Sequence, residues 1–199
     1  MKRSVDVKTM FVGVVLVVVA IVASSVVGVA DDFSRKGKVE IFGMVQQFGS
    51  DSTTDTLPGE PIFMSIQGTT VGGFGLGGNL TDHFNLNTNF LFGSTTEDWN
   101  YLGYDLLEVD HTLAFWDVNL DYNFVKSRVT PVITGGIGVV RFSGWEESDF
   151  STNVGFGVRI DVSDRIFIKG LYKGTWTKMK ETSSHIFLDG GVGIFGFKF

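Results

Sequence analysis

The chain has 199 residues, which is enough for one domain and too few for two well-cored ones. It has no cysteine, so disulfides, thiolate metal sites and thiol nucleophiles are excluded. The net charge of −6, without a basic patch interleaved with aromatics, disfavours nucleic acid as a partner.

Residues 1–30 have the pattern of a secretory signal peptide. Lys2, Arg3 and Lys8 form a basic start, an apolar run follows, and small residues lead up to Ala30. The pattern predicts export and cleavage after Ala30, which leaves 31–37 as a short periplasmic lead-in. The alternative is an uncleaved membrane anchor, because 10–30 carries no charge and is long enough to span a bilayer.

Eight strand candidates follow, because aromatic and β-branched residues alternate there with polar ones. They span 38–48, 65–79, 83–93, 110–124, 130–142, 152–162, 165–177 and 185–198. The alternation is clearest in the third, where Asn85, Asn87 and Asn89 oppose an apolar face. The fifth is ambiguous, since both of its faces are apolar or glycine. Placing Arg141 on the polar face turns Val132, Val140 and Phe142 to the other side.

The connections between these strands alternate in length. Three are tight, at 80–82, 125–129 and 163–164, and four are longer and polar, at 49–64, 94–109, 143–151 and 178–184. Tight turns at one end and long loops at the other are typical of outer-membrane barrels, with the turns in the periplasm. An even strand count then predicts that both termini are periplasmic. We predict an all-β fold, an eight-stranded antiparallel up-and-down transmembrane β-barrel over 38–199, preceded by a signal peptide.

Several segments resemble a known family. They are Gly73-Phe-Gly-Leu-Gly-Gly-Asn-Leu-Thr-Asp-His-Phe-Asn-Leu-Asn, Thr130-Pro-Val-Ile-Thr-Gly-Gly-Ile-Gly-Val, Gly155-Phe-Gly-Val-Arg-Ile-Asp-Val-Ser-Asp-Arg-Ile-Phe-Ile-Lys and the terminal Phe199. They are similar to the small eight-stranded outer-membrane barrels: the transmembrane domain of OmpA, OmpX, the opacity proteins and OmpW.

This resemblance implies partners and a location. The partners are outer-membrane lipid, lipopolysaccharide, periplasmic chaperones and the barrel-assembly machinery, whose signal the terminal Phe199 resembles. The location is the outer membrane of a Gram-negative cell. No cell-wall-binding domain is expected after the barrel. The family includes structural proteins, adhesins, pores and a few enzymes, so the fold alone does not give the function.

The rival architecture is a soluble barrel with its apolar face inside. Its interior would be overfilled by the large aromatics on that face, since eight strands enclose room for side chains or one small ligand. We therefore expect the aromatics to face lipid. These are Phe84, Phe90, Trp116, Tyr122, Phe124, Tyr172, Trp176, Phe195 and Phe197.

The opposite faces then predict an ion network in the lumen, because unpaired charges in so narrow a barrel would be costly. Its acids and bases are Glu40, Asp117, Asp121 and Asp161 with Arg141, Arg159, Lys169 and Lys173. We expect the network to plug the lumen. The alternative is a narrow polar channel for small solutes, opened by rearranging these pairs.

The predicted role is structural or surface-interacting, as a monomer without a cofactor. The long loops are acidic and rich in aromatics, which fits either a solvated rim or a contact surface. A lipid-A-modifying enzyme is the second alternative, and His185 is its only candidate residue. No acid shares the expected face of His185, and the three histidines lie on different elements, so neither a catalytic nor a metal site is predicted.

Overall fold

The computed structural model of the protein describes residues 33–49, 51–57, 60–66, 68–101, 104–143, 148–178 and 185–199. The predicted signal peptide at 1–30 lies outside the described residues. No helix among the described residues is long and apolar enough to cross a membrane. The strands are β1 (Val39–Gln47), β2 (Asp51–Leu57), β3 (Glu60–Ile66), β4 (Thr70–Asn79), β5 (Phe84–Tyr101), β6 (Tyr104–Asn123), β7 (Val129–Phe142), β8 (Asp149–Ile160), β9 (Ile166–Lys178) and β10 (His185–Lys198).

Eight of these strands close into an antiparallel barrel. The ring runs β1-β4-β5-β6-β7-β8-β9-β10 and returns to β1, where Glu40 pairs with Lys198 and Gln46 with Val192. Closure leaves no strand edge in the ring. The end with the short connections, 80–83, 124–128 and 161–165, is called the turn end, and the opposite end is called the loop end. The predicted eight-stranded barrel is confirmed.

The loop end contains more β-structure than the sequence indicates. The predicted polar connections 49–64 and 94–109 contain the hairpin of β2 and β3 and long extensions of β5 and β6. The β5–β6 ladder continues to Tyr101 opposite Tyr104, and β3 pairs with the outer part of β5. The predicted second strand therefore begins too early, since 65–66 belongs to β3. Acidic residues indicated loops here, but threonine and aromatic residues also favour strands outside a membrane.

The predicted register of β7 is wrong. Val132 and Val140 are buried inside, whereas Arg141 is exposed on the outer surface. The reason lies on the neighbouring strand: a side chain at Gly136 would come within 2.1 Å of the Asn119 amide, and one at Gly138 within 2.4 Å of the Asp117 carboxylate. The inner face of β7 must stay small at Gly136 and Gly138 so that β6 can direct its polar side chains into the lumen.

Candidate functional site

The lumen is the candidate functional site, because it gathers the buried charges. At the turn end, Arg159 bridges two acids: its Nη2 lies 2.5 Å from Glu40 Oε1 and 3.0 Å from Asp161 Oδ1. Lys198 Nζ lies 2.6 Å from the same Asp161 oxygen. Alternation of the strands brings these groups together, since each is an inward position of β1, β8 or β10 or, for Asp161, directly follows β8. We call these four residues the turn-end cluster.

Neutral groups complete this cluster. Glu40 also accepts hydrogen bonds from the amides of Asn79, at 2.7 Å, and Asn85, at 3.2 Å. The guanidinium of Arg159 lies over the Phe167 ring, 4.4 Å from its centroid. The hydrogen bonds that the Glu40 carboxylate accepts are charge-assisted, and such bonds are shorter and stronger than those between neutral groups. The cluster therefore joins several strands through one connected set of contacts.

Two separate ion pairs lie further along the lumen. Lys169 Nζ is 2.6 Å from Asp121 Oδ2, and Lys173 Nζ is 2.5 Å from Asp117 Oδ2. Both lysines project from β9 and both acids from β6, which face each other across the barrel. All four side chains are buried.

The predicted network thus differs from the observed one in its members. Arg141 lies outside it, as the corrected register requires, and the other seven predicted residues are buried in the lumen. Sequence analysis missed Lys198 and Arg35. Lys198 could have been found from the alternation of β10, which turns Phe197 outward and Lys198 inward. Arg35 carried no such signal, because it lies before the first strand.

An apolar layer fills the loop-end part of the lumen. Phe48 and Phe115 stack there, with ring centroids 5.2 Å apart. Other apolar side chains lie at the same level of the barrel. They come from the start of β4 and β10 and from the parts of β5, β6 and β7 that are nearer the loop end. We call this set the loop-end layer: Phe48, Val71, Leu91, Leu113, Phe115, Val140 and Leu188.

Between the cluster and the layer, several polar atoms have no partner. They include Oδ1 of Asn89, of Asn119 and of Asp117, and both amide atoms of Asn153. A cavity of about 10 Å³ opens among Asn89, Asn119, Lys173 and neighbouring residues. That volume is about the size of one water site, and buried waters commonly bind such unpartnered groups.

The outer surface carries all nine predicted aromatics. Phe84, Trp116, Phe124, Trp176, Phe195 and Phe197 are exposed. Phe90, Tyr122 and Tyr172 are half-buried, because each packs against neighbouring rings. Phe199, the predicted assembly signal, is more exposed than any of them, with 74% of its surface exposed, and its backbone pairs with Val39. Outside a barrel in lipid, such rings are favourably placed.

The lead-in enters the turn end of the lumen. Gly37, at a φ of 78°, allows the chain to bend into β1, and its N–H donates to the Asn79 carbonyl at 2.8 Å. Arg35 is fully buried, and its Nε lies 2.7 Å from Asp161 Oδ2. Burial lowers the pKa of this guanidinium and Asp161 acts to raise it, but the group stays charged at any physiological pH.

Asp82, in the turn between β4 and β5, holds the lead-in backbone. Its partial burial raises the pKa, but the Ser34 hydroxyl, the N–H groups of Arg35 and Lys36, and the Lys126 side chain stabilise the carboxylate. The balance lowers the pKa of Asp82 to about 2. The contact therefore holds at neutral pH.

The histidines are the sequence-based candidates for a metal or catalytic site. They contain no group of three or more His, Asp or Glu able to hold a metal ion. His83 Nδ1 lies 2.7 Å from the Asn123 carbonyl in the turn end, and His111 Nδ1 lies 2.6 Å from the Ser143 carbonyl at the loop end. The side chain of His185, the candidate for lipid A chemistry, lies outside the described residues.

Comparison with solved structures finds barrels of the same fold. The chain is similar to OprG of Pseudomonas aeruginosa, at 13% identity over 83% of this chain and 97% of that one, with a TM-score of 0.59. It is similar to the N-terminal barrel of OprF from the same organism, at 15% identity, 82% and 98% coverage and a TM-score of 0.53. It also resembles Neisserial surface protein A, at 14% identity, 82% and 96% coverage and a TM-score of 0.52.

A family model gives the assignment at the level of sequence. No curated protein sequence matches the chain. The model described as "Outer membrane protein beta-barrel domain" matches residues 14–196, nearly the whole chain. The predicted resemblance to small eight-stranded outer-membrane barrels is therefore confirmed, and the outer membrane is the protein's location. The chain belongs to the outer membrane protein beta-barrel domain family.

Proposed function

We propose that the protein is a non-enzymatic, monomeric outer-membrane barrel with a closed lumen and a structural or surface-interaction role. The observation that supports this proposal is that inward side chains are packed along the lumen from the turn end to the loop end, around one small central cavity. Paired charges lie at the turn end, two Lys–Asp pairs cross the middle, and the loop-end layer packs at the opposite end. A barrel of this size has space for its own side chains or one small ligand.

The surroundings of the barrel follow from its surface. Outward aromatics such as Trp116 and Trp176 suit lipid and lipopolysaccharide on the outside. The turn end, where the described residues begin at 33 and where β10 ends, would face the periplasm, and the longer β5–β6 extension would reach outward from the cell. A surface role would then belong to the loop end, because it is the part that a partner outside the cell can reach.

A planar-bilayer measurement tests the closed lumen. We expect no conductance steps from the wild-type barrel when it is refolded and migrates as a heat-modifiable band. We also expect no conductance steps after Lys36→Ala, because Lys36 is exposed and lies outside the lumen. Reproducible steps from the wild-type protein would overturn the proposal.

A narrow channel is the second candidate, and the unpartnered polar atoms around the central cavity favour it. Those atoms would accept water, and water in the middle of a lumen is one part of a polar path. The discriminating variant is Asp117→Asn with Asp121→Asn, which weakens both central pairs. Steps that appear in this variant while the wild type is silent would mean that the pairs act as a gate.

A further inference from the structure

The segment 33–36, which we call the mouth segment, occupies the turn-end opening of the barrel. Its side chains alternate in exposure: Phe33 and Arg35 are buried, with 5% and 0% of their surface exposed, whereas Lys36 is exposed. A charged residue is almost never fully buried unless it is paired. The partners of Arg35 therefore define what this opening binds.

The opening surrounds the Arg35 guanidinium with acceptors from three different connections. Its Nε donates to Asp161 Oδ2 at 2.7 Å. Its Nη1 lies 3.3 Å from the Asp82 carbonyl and 3.4 Å from the Val125 carbonyl, and its Nη2 donates to the Ser127 carbonyl. All three nitrogens of the planar guanidinium are used. A lysine ammonium is a single point of charge and cannot reach acceptors spread in this way.

Two further contacts fix the peptide around this arginine. Asp82 Oδ1 accepts from the Ser34 hydroxyl at 2.7 Å, from the Arg35 N–H at 2.7 Å and from the Lys36 N–H at 3.2 Å. The Phe33 ring lies among three cations, 4.9 Å from Arg35, 5.2 Å from Arg128 and 4.9 Å from Lys198. The opening thus contacts three features of the mouth segment: the aromatic ring of Phe33, the backbone N–H groups that follow it, and the guanidinium of Arg35, two residues later in the chain.

The barrel does not need Arg35 for its own charge balance. The turn-end cluster has two acids, Glu40 and Asp161, and two bases, Arg159 and Lys198, in mutual contact. Without Arg35, Asp161 still contacts both Arg159 and Lys198. Withdrawing the mouth segment would therefore leave a neutral cluster behind, rather than a buried unpaired charge.

We propose that the turn-end opening is a guanidinium-binding site for extended peptides of the form Phe-x-Arg, occupied by the protein's own mouth segment. The segment is a resident ligand that can leave and be replaced by an arginine-bearing peptide of the same form. This site goes beyond the proposed function and does not depend on whether the lumen conducts.

Hydrogen exchange at the amides of residues 35 and 36 reports occupancy, because Asp82 holds both N–H groups. In the full-length barrel in detergent micelles, Arg35→Ala is expected to speed exchange at both amides by at least about tenfold, since the guanidinium contacts are lost. Arg35→Lys should also speed exchange at these amides, because one ammonium group cannot replace the three nitrogens of the planar guanidinium. Lys36→Ala is the matched control and should leave the exchange unchanged.

Competition on the unaltered protein tests the site without a variant. An excess of blocked Phe-Ser-Arg-Lys peptide should displace the mouth segment and accelerate exchange at its amides. The peptide Phe-Ser-Lys-Lys should not. Acceleration by both peptides alike would mean general charge competition and would overturn the guanidinium site. Exchange that neither the arginine peptide nor Arg35→Ala changes would also overturn it.

Discussion

The two ends of the lumen are lined by side chains of opposite chemistry. At the turn end, acids and bases meet at distances of 2.5–3.0 Å, and each contact depends on the charge of its neighbour. At the loop end, rings and aliphatic side chains such as Phe48 and Phe115 fill space without specific partners. The comparison teaches that the packing at the turn end depends on the balance of charges, whereas the packing at the loop end depends on side-chain volume. The two ends should therefore respond differently to substitution.

Removing one charge from the turn-end cluster is the largest expected effect. Arg159→Met leaves Glu40 without its guanidinium, and breaking a buried ion pair from one side typically costs about 3–5 kcal/mol. Urea unfolding in lipid vesicles would measure the free energy of unfolding. Arg141→Met is the matched control, because Arg141 is exposed, and we expect a change of about 0.5 kcal/mol or less. Equal losses would contradict the observed register of β7.

Removing volume from the loop-end layer should cost somewhat less. Phe115→Ala takes away the ring that stacks on Phe48 and leaves a cavity, for which we expect a loss of about 3 kcal/mol. Phe115→Leu retains most of the volume and should lose no more than about 1.5 kcal/mol. The same unfolding measurement applies. If Phe115→Leu cost as much as Phe115→Ala, shape rather than volume would govern this layer.

The central pairs allow a sharper test, because each is a single acid with a single base. Lys173→Met alone leaves the buried Asp117 carboxylate without its base, whereas Lys173→Met combined with Asp117→Leu removes both charges. Replacing a whole buried pair is often neutral, so we expect the double variant to unfold within about 1 kcal/mol of wild type. A double variant as unstable as the single one would show that this pair is linked to the rest of the network.

The smallest expected effect is a pH dependence at the mouth segment. The pKa of Asp82 is lowered to about 2 in the folded protein, so its contribution is fully present above its ordinary pKa near 3.8. That contribution should be lost as the pH falls through 2. Exchange at the amides of residues 35 and 36, corrected for its intrinsic pH dependence, should accelerate between pH 4 and pH 2. Asp82→Asn should remove this response; a response that persisted would assign it to another group.

The sequence by itself determined the barrel and most of its two faces. In the turn-end parts of β5 and β6, asparagines and aspartates alternate with mainly aromatic and aliphatic residues, and a period of two has only one way to face lipid and lumen. The same alternation indicated the inward positions of Arg159, Lys169 and Lys173. Short and long connections gave the order of the strands, because antiparallel neighbours need only a turn.

The tertiary structure alone decided what alternation could not express. Both faces of β7 are apolar or glycine, so its register followed from the space that Asp117 and Asn119 need on the adjacent strand. Arg35 precedes the first strand, and only the closed ring of strands brings the carbonyls of the 80–83 and 124–128 turns and the Asp161 carboxylate around it. The pairing of particular acids with particular bases likewise depends on the stagger of the barrel. Local sequence patterns determine which side of a strand a residue faces, whereas contacts across the lumen depend on the position and register of every strand in the barrel.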